Sequence, residues 1–289
     1  MEKITKKNIR ALSQEELIEF FLDKGEQKFR ANQIFDWVWK KSFTAFENMS
    51  NISVETREML EEYFYFNKLT IDTKQVSTDG TIKCAFKLYD GSIVEGVLIP
   101  TKKRMTACIS SQVGCSLACS FCATGRLKRM RNLTYDEIYD QVVEINNLAK
   151  ENYNKPLTNI VYMGMGEPLL NYKNTLESIN KITSDEGLGM ASRRITVSTA
   201  GIAKMIKKLG DDDVKFNLAL SLHATNDEAR DKIMEINQQN SLGSLAEALK
   251  YYYDKTGNMV TYEYCLLDGV NDSLKEAHEL VQFCQHVPS

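Results

Sequence analysis

Gly114-Cys-Ser-Leu-Ala-Cys-Ser-Phe-Cys-Ala-Thr-Gly125 sets Cys115, Cys119 and Cys122 at Cys-x3-Cys-x2-Cys spacing, three thiolates within one short loop. Cysteine thiolates hold iron–sulfur clusters, commonly four of them to a four-iron cube. Three protein ligands leave one iron free to bind a cosubstrate. The competing reading is structural zinc, which takes four ligands, usually from two paired units. Cys108 is the nearby candidate for a fourth ligand. No second knuckle follows, and His223, His278 and His286 are remote in sequence.

Around this loop the chain alternates strands and helices. Thr106–Ile109 reads as a strand before the cysteines and Thr134–Leu148 as a capped helix after them. Strands are then predicted at Asn159–Met163, Arg194–Ser198, Phe216–Leu222 and Val260–Leu266, separated by helical stretches and followed by a helix over Asp272–His286. Such alternation argues for parallel βαβ units. The expected fold class is therefore α/β, with about five βα units in one parallel, barrel-like domain. The residues suited to chemistry all follow strands: the cysteines, Gly164-Met-Gly-Glu-Pro168, Ser198-Thr-Ala-Gly201 and Ser221-Leu-His223. Barrels place active sites at the carboxyl ends of their strands. In the second of these sequences the glycines suit close approach to a ligand, and Glu167 offers an acceptor for an ammonium group. Ser198, Ser221 and His223 are each ambiguous alone, since hydroxyls cap strand ends and a lone histidine is often hydrogen-bonded core.

Ahead of the barrel, Ser13 with Glu16 forms a capping-box pattern before Leu17-Ile-Glu-Phe-Phe-Leu22. Further helices are expected at Phe29–Lys40 and Val54–Tyr65. Residues 67–100 alternate as short strands, with Asp79-Gly80 and Asp90-Gly91 as hairpin turns. The predicted division is a helical accessory domain at 1–66, a β-hairpin extension at 67–100 and the barrel at 101–289.

The 289 residues are 43% hydrophobic and 26% charged, ordinary for a globular protein. No apolar run approaches the roughly 18 residues that span a bilayer, and no signal peptide opens the chain. Seven cysteines without a disulfide pattern suit a reducing compartment, so a cytoplasmic location is expected. Net charge is −3, yet Lys102, Lys103, Arg104, Arg126, Lys128, Arg129 and Arg131 flank the cysteines with no acidic residue among them. A cationic rim attractive to phosphates follows from that spacing.

The segments Cys108-Ile-Ser-Ser-Gln-Val-Gly-Cys115, Cys119-Ser-Phe-Cys-Ala-Thr-Gly125, Arg131-Asn-Leu133, Val161-Tyr-Met-Gly-Met-Gly-Glu-Pro-Leu169, Ile195-Thr-Val-Ser-Thr-Ala-Gly201 and Leu220-Ser-Leu-His-Ala-Thr225 closely resemble the RlmN/Cfr family of radical S-adenosylmethionine RNA methyltransferases. The resemblance runs nearly end to end and implies that the α/β domain is a partial (βα)6-type barrel. It implies a [4Fe-4S] cluster on Cys115, Cys119 and Cys122, and an S-adenosyl-L-methionine site lined by Gly166, Glu167, Ser198, Ser221, Leu222 and His223. It also implies Glu95 as a proton-handling carboxylate and Cys108 as the thiol that resolves a covalent protein–RNA intermediate as a disulfide. From the residues alone Glu95 reads only as a strand-face glutamate. Pro168 and Ala200 favour methylation of adenine carbon 2 over carbon 8. Implied partners are 23S rRNA, tRNA and an electron donor such as flavodoxin or ferredoxin, with the chain a monomer and no membrane involved.

The chain departs from the family in two respects. The family's methyl-carrying cysteine, in an Ala-Cys-Gly context, falls beyond Ser289, as do a sixth barrel strand and a ligand-contacting asparagine. Cys265 and Cys284 read as packing thiols. The chain is therefore expected to be a fragment that cleaves S-adenosylmethionine at best abortively and methylates no RNA. Glu235 also stands where the family usually has proline. Two other readings remain open from the sequence: a zinc-stabilised RNA-binding protein without catalysis, and a radical enzyme acting on a protein or small molecule.

Overall fold

The computed structural model describes residues 5–289. The first four residues of the predicted N-terminal domain lie outside that range. Twelve strands and nine α-helices follow among the described residues. The N-terminal part holds β1 (Lys7–Asn8), α1 (Gln14–Asp23), α2 (Lys28–Phe35), α3 (Val54–Tyr63) and β2 (Phe64–Tyr65). Ser13 and Glu16 form the expected reciprocal cap on α1. A five-residue π turn, Asp36–Lys40, continues α2 and turns Trp37 and Trp39 into the core.

Next come β3 (Thr70–Val76), β4 (Ile82–Lys87), β5 (Ile93–Pro100), β6 (Met105–Cys108) and β7 (Gln112–Val113), then β8 (Arg131–Asn132), α4 (Tyr135–Tyr153), β9 (Asn159–Tyr162), α5 (Tyr172–Thr183) and β10 (Ile195–Thr199). The chain continues through α6 (Ala203–Asp211), β11 (Asn217–Ser221), α7 (Asp227–Ile233), α8 (Leu242–Thr256), β12 (Val260–Glu263) and α9 (Leu274–Cys284). One eight-stranded sheet runs β12-β11-β10-β9-β6-β5-β4-β3. The five strands β6, β9, β10, β11 and β12 are parallel, as the strand–helix alternation predicts. The three strands of 67–100 join that same sheet through the antiparallel β5–β6 pair.

Directly paired residues share a face, so the register assigns each side chain to a side. One face carries Phe86, Leu98, Ala107, Ile160, Val197, Leu218 and Leu220, all fully buried. These form the apolar layer of the core and require only close packing. The opposite, concave face carries Glu95, Cys108, Ser198, Ser221 and Glu263, because Val97 pairs with Cys108, Cys108 with Val161, Ser198 with Ala219 and Ser221 with Glu263. Strand alternation alone thus brings the chemistry-bearing residues to one side.

Helix α4 joins three parts of the molecule. Arg10, fully buried, pairs with Asp140, donates to the Val38 carbonyl at 3.1 Å and stacks between Trp39 and Tyr139. One turn away, Glu137 takes both arms of Arg131 at 2.7 and 2.8 Å. Gln141 clamps the backbone N–H and carbonyl of Ser110. Glu235 opens a 3-10 turn, Glu235–Gln238, at the first helical position, where proline's fixed φ is well accommodated.

Candidate functional site

At the carboxyl ends of β9, β10 and β11 lies a cavity of about 240 Å³. Cys115, Cys119, Cys122, Gly166, Glu167, Ser198, Ser221 and His223 all line it. Eight of the eleven residues expected at the site therefore meet around one space. The other three do not line it. Leu222 is fully buried, its N–H donating to the Glu263 carbonyl at 3.0 Å and its own carbonyl accepting from Arg230. Cys108 lies on the concave face, where burial pushes its thiol up to about 11. Glu95 shares that face with its carboxylate half exposed, 2.7 Å from Lys83 Nζ.

The glycines of Gly164-Met-Gly166 line the cavity and also pack against a neighbouring loop. A Cβ on Gly166 would fall 2.4 Å from the Gln112 Cβ, and one on Gly164 would fall 2.7 Å from the Ile109 carbonyl carbon. Their close approach is to the loop that carries the cysteines. Met165 N–H donates to Ser110 Oγ at 2.8 Å, and its carbonyl accepts from the backbone of Ser111 and Gln112. Glu167 is almost fully buried and caps the 3-10 turn Pro168–Asn171 through Leu169 N–H at 3.0 Å. Its other oxygen accepts from Ala200 N–H at 2.7 Å. Burial pushes its carboxyl up. A carboxylate has about four acceptor positions, so Glu167 braces two loops and keeps capacity for an ammonium donor.

Ser198 and Ser221 stand on neighbouring strands with hydroxyls 3.2 Å apart, a pair able to share one polar ligand. His223 sits in the left-handed region at φ 55° and is fixed from three sides. Asn271 Nδ2 donates to its carbonyl at 2.7 Å, Cys265 N–H donates to its Nδ1 at 3.0 Å, and the Phe121 ring lies edge-on at 4.7 Å. With Nδ1 accepting, the neutral ring carries its proton on Nε2 and can donate only from there. Burial lowers its pKa to about 4. The unfolded chain takes up this proton near pH 6.5, so between 6.5 and 4 the unfolded state binds more protons and stability falls as pH drops. Denaturant unfolding should show the wild type losing up to about 3 kcal/mol more across that window than His223→Gln. Equal losses would contradict the depressed pKa.

The cysteine loop meets the requirements of an iron–sulfur ligand set. Burial pushes the thiols of Cys115 and Cys119 up, the latter to about 11, so iron binding must displace their protons. Cys119 and Cys122 lie in one tight turn, with Cys122 N–H donating to the Cys119 carbonyl at 3.1 Å. Among the described residues no three His, Cys, Asp or Glu side chains converge on a single-ion position. Three thiols lining one cavity are the donor set that holds an iron–sulfur cluster with one iron left open.

The cationic rim is smaller than the sequence suggests. Lys102, Lys103 and Arg104 form the β5–β6 turn, at the opposite end of β6 from the cysteines. Arg131 is committed to Asp90 at 2.7 Å and to Glu137. Arg126, Lys128 and Arg129 remain exposed beside the loop, with Leu127 and Met130 between them. Sequence reasoning also missed Phe121, Thr199, Met234 and Glu263, which line the cavity. Glu263 was legible as a strand-end carboxylate only once β12 was seen to stop there.

Comparison with known proteins bears on this geometry. The Radical SAM superfamily model matches residues 109–281, and the model of the ribosomal RNA large subunit methyltransferase N-terminal domain matches residues 7–66. A relative from Cytophaga hutchinsonii is 60% identical over 99% of this chain and 78% of its own length. One from Flavobacterium psychrophilum is 55% identical over 99% of this chain and 82% of its own. Both bear the name "Probable dual-specificity RNA methyltransferase RlmN". The crystal structure of a radical SAM methyltransferase from Sphaerobacter thermophilus superposes with a TM-score of 0.90 at 38% identity, covering 97% of this chain and 82% of that one.

Proposed function

Because this chain belongs to the RlmN family of the radical SAM superfamily, we propose that its reaction is methylation of carbon 2 of an adenine in 23S rRNA and in some tRNAs, completed in the cell by the family's methyl-carrying cysteine, which is not among residues 1–289. Its cofactors are a [4Fe-4S] cluster and S-adenosyl-L-methionine. When bound, the cluster supplies the electron that cleaves the sulfonium cosubstrate reductively, chemistry that an electron-poor aromatic carbon requires. The observation that carries the reading is the meeting of three cysteines, Glu167, two serines and His223 around one cavity at the strand ends.

In this reading Cys115, Cys119 and Cys122 hold the cluster. Glu167 accepts from the cosubstrate's ammonium group, and Ser198 and Ser221 hydrogen-bond its polar edge. His223 donates to it from Nε2, and Gly166 lets the Glu167 loop close against the cysteine loop. Leu222 contributes by keeping its backbone locked to Glu263 and Arg230, which fixes the residues on either side. Glu95 handles a proton from the concave face, and Cys108 on that face resolves the protein–RNA intermediate. The proposed units are a helical accessory domain at 1–66 that helps hold RNA, a β extension at 67–100 and the barrel at 101–289. The matches over 7–66 and 109–281 support that division.

The electron donor is proposed to be an acidic carrier such as flavodoxin or ferredoxin. It would dock on the exposed stretch from Arg126 to Met130, where the Leu127 carbonyl accepts the N–H of Cys115 at 3.4 Å. We place the protein in the cytoplasm as a monomer; no helix among the described residues is long and apolar enough to cross a membrane. Deleting the gene should remove 2-methyladenosine from digested 23S rRNA, and an intact copy should restore it. An unchanged nucleoside profile, or loss of 8-methyladenosine instead, would refute the carbon-2 assignment.

A further inference from the structure

Arg230 lies on α7, fully buried, with no carboxylate within ion-pair distance among the described residues. Its acceptors are neutral. Nε donates to the Leu222 carbonyl at 2.9 Å, Nη2 to the carbonyls of Ala200 and Ser221 at 2.6 and 3.0 Å, and Nη1 to Asn237 Oδ1 at 2.9 Å. Two acids lie one residue further away, since Asn237 Nδ2 donates to Asp227 at 2.9 Å and Asp231 at 2.7 Å. An unpaired buried charge is strongly destabilising. Three carbonyls and an amide can solvate a guanidinium, but neutral groups do not balance its charge.

The cysteine loop rests on the same helix. Ser120 N–H donates to the Ile233 carbonyl at 3.0 Å. Leu117, Ile233 and Met234 form one apolar cluster, with Cys115, Cys119 and Phe121 packed against it. Once that loop holds its cluster, three thiolates outweigh the charge of the oxidised cube, and reduction adds a further negative charge. Net charge and hydrogen bonding around a cluster set its potential.

We propose that Arg230 is the fixed counter-cation of the cluster loop, balancing the negative charge the loaded thiolates bring and raising the cluster's reduction potential. This rests on the reading that Cys115, Cys119 and Cys122 hold the cluster. Arg230 is a positioning residue. Its carbonyl contacts also hold the ends of β10 and β11 together, beside Ser198 and Ser221.

The test compares Arg230→Met, which removes the charge at similar bulk, with Arg230→Lys, which keeps the charge but loses the planar fork. Each protein is loaded anaerobically, its midpoint potential is titrated by electron paramagnetic resonance, and melting is recorded with and without the cluster. The Met variant is expected at a more negative potential than wild type. It should also lose more melting temperature when loaded than when empty. The Lys variant should hold close to the wild-type potential while binding S-adenosylmethionine more weakly. Should the Met variant fail to fold, a Lys variant with a clearly lowered potential would overturn the proposal and one near wild type would support it. A loaded, folded Met variant at the wild-type potential, or one destabilised equally with and without cluster, makes Arg230 only a backbone stitch and overturns this proposal alone. A wild-type chain that takes up no cluster overturns both the proposal and the reading beneath it.

Discussion

Cys119→Ala protein, purified and reconstituted without oxygen, is expected to be colourless, with iron reduced from about four per chain to less than about one. A gene copy carrying the substitution should leave 2-methyladenosine at the level of the deletion strain. The effect is large because each ligand is a corner of the cube. With two thiolates left, no cluster is fixed over the cavity and the cosubstrate has no iron to bind. Cys108→Ala is the informative contrast. It stands off the cavity, so it should keep the full iron content and the brown colour while methylation fails at a later step. Iron loss in Cys108→Ala equal to that in Cys119→Ala would make Cys108 a fourth ligand and close the open corner. Cys84→Ala, in the apolar layer, should change neither iron nor methylation.

The second large effect concerns stability. Arg10→Met leaves Asp140 buried against α4 without a counter-charge. Removing one partner of a buried pair costs about 3–5 kcal/mol, whereas replacing both by apolar groups is often neutral. At about 2–4 °C per kcal/mol in a chain of this size, the melting point should fall by roughly 10 °C. The double variant Arg10→Met/Asp140→Leu should recover most of that loss. The damage should be local first, because Arg10 also sits between Trp39 and Tyr139 and lends its carbonyl to the Tyr135 hydroxyl. Hydrogen exchange should accelerate over 14–63 before the parallel sheet responds. A double variant no more stable than Arg10→Met would show that the packing of the guanidinium, and not its charge, holds the N-terminal helices.

Local rules recover most of this molecule, and the exceptions have physical reasons. The capping box at Ser13, the hairpin turns at Asp79 and Asp90, and the five parallel strands are written in short-range pattern, so the sequence predicts them closely. The cavity cysteines and the strand-end residues were legible for the same reason. Their chemistry is carried by residue type and their address by strand order. What periodicity leaves out is side-chain hydrogen bonding over long separations. Arg230, Asn237 and Asn271 read as ordinary helix or loop residues, yet all are buried: Arg230 and Asn271 each satisfy backbone groups from two segments, and Asn237 links the Arg230 guanidinium to the carboxylates of Asp227 and Asp231. The glycines at 164 and 166 read as sites of close approach, and only the fold shows that the loop at 109–112 packs against them. The basic run reads as a continuous rim only because sequence proximity hides a strand. Arg104 and Cys115 are separated by the length of β6, and Arg131 is neutralised by acids from two other elements.

Mössbauer spectroscopy of the anaerobically reconstituted chain, with and without S-adenosylmethionine, addresses the open-cornered cube most directly. A single four-iron cluster in which one iron alone changes its signature when the cosubstrate is added is the expected spectrum. Zinc in place of iron, or four irons that all ignore the cosubstrate, would contradict the whole account.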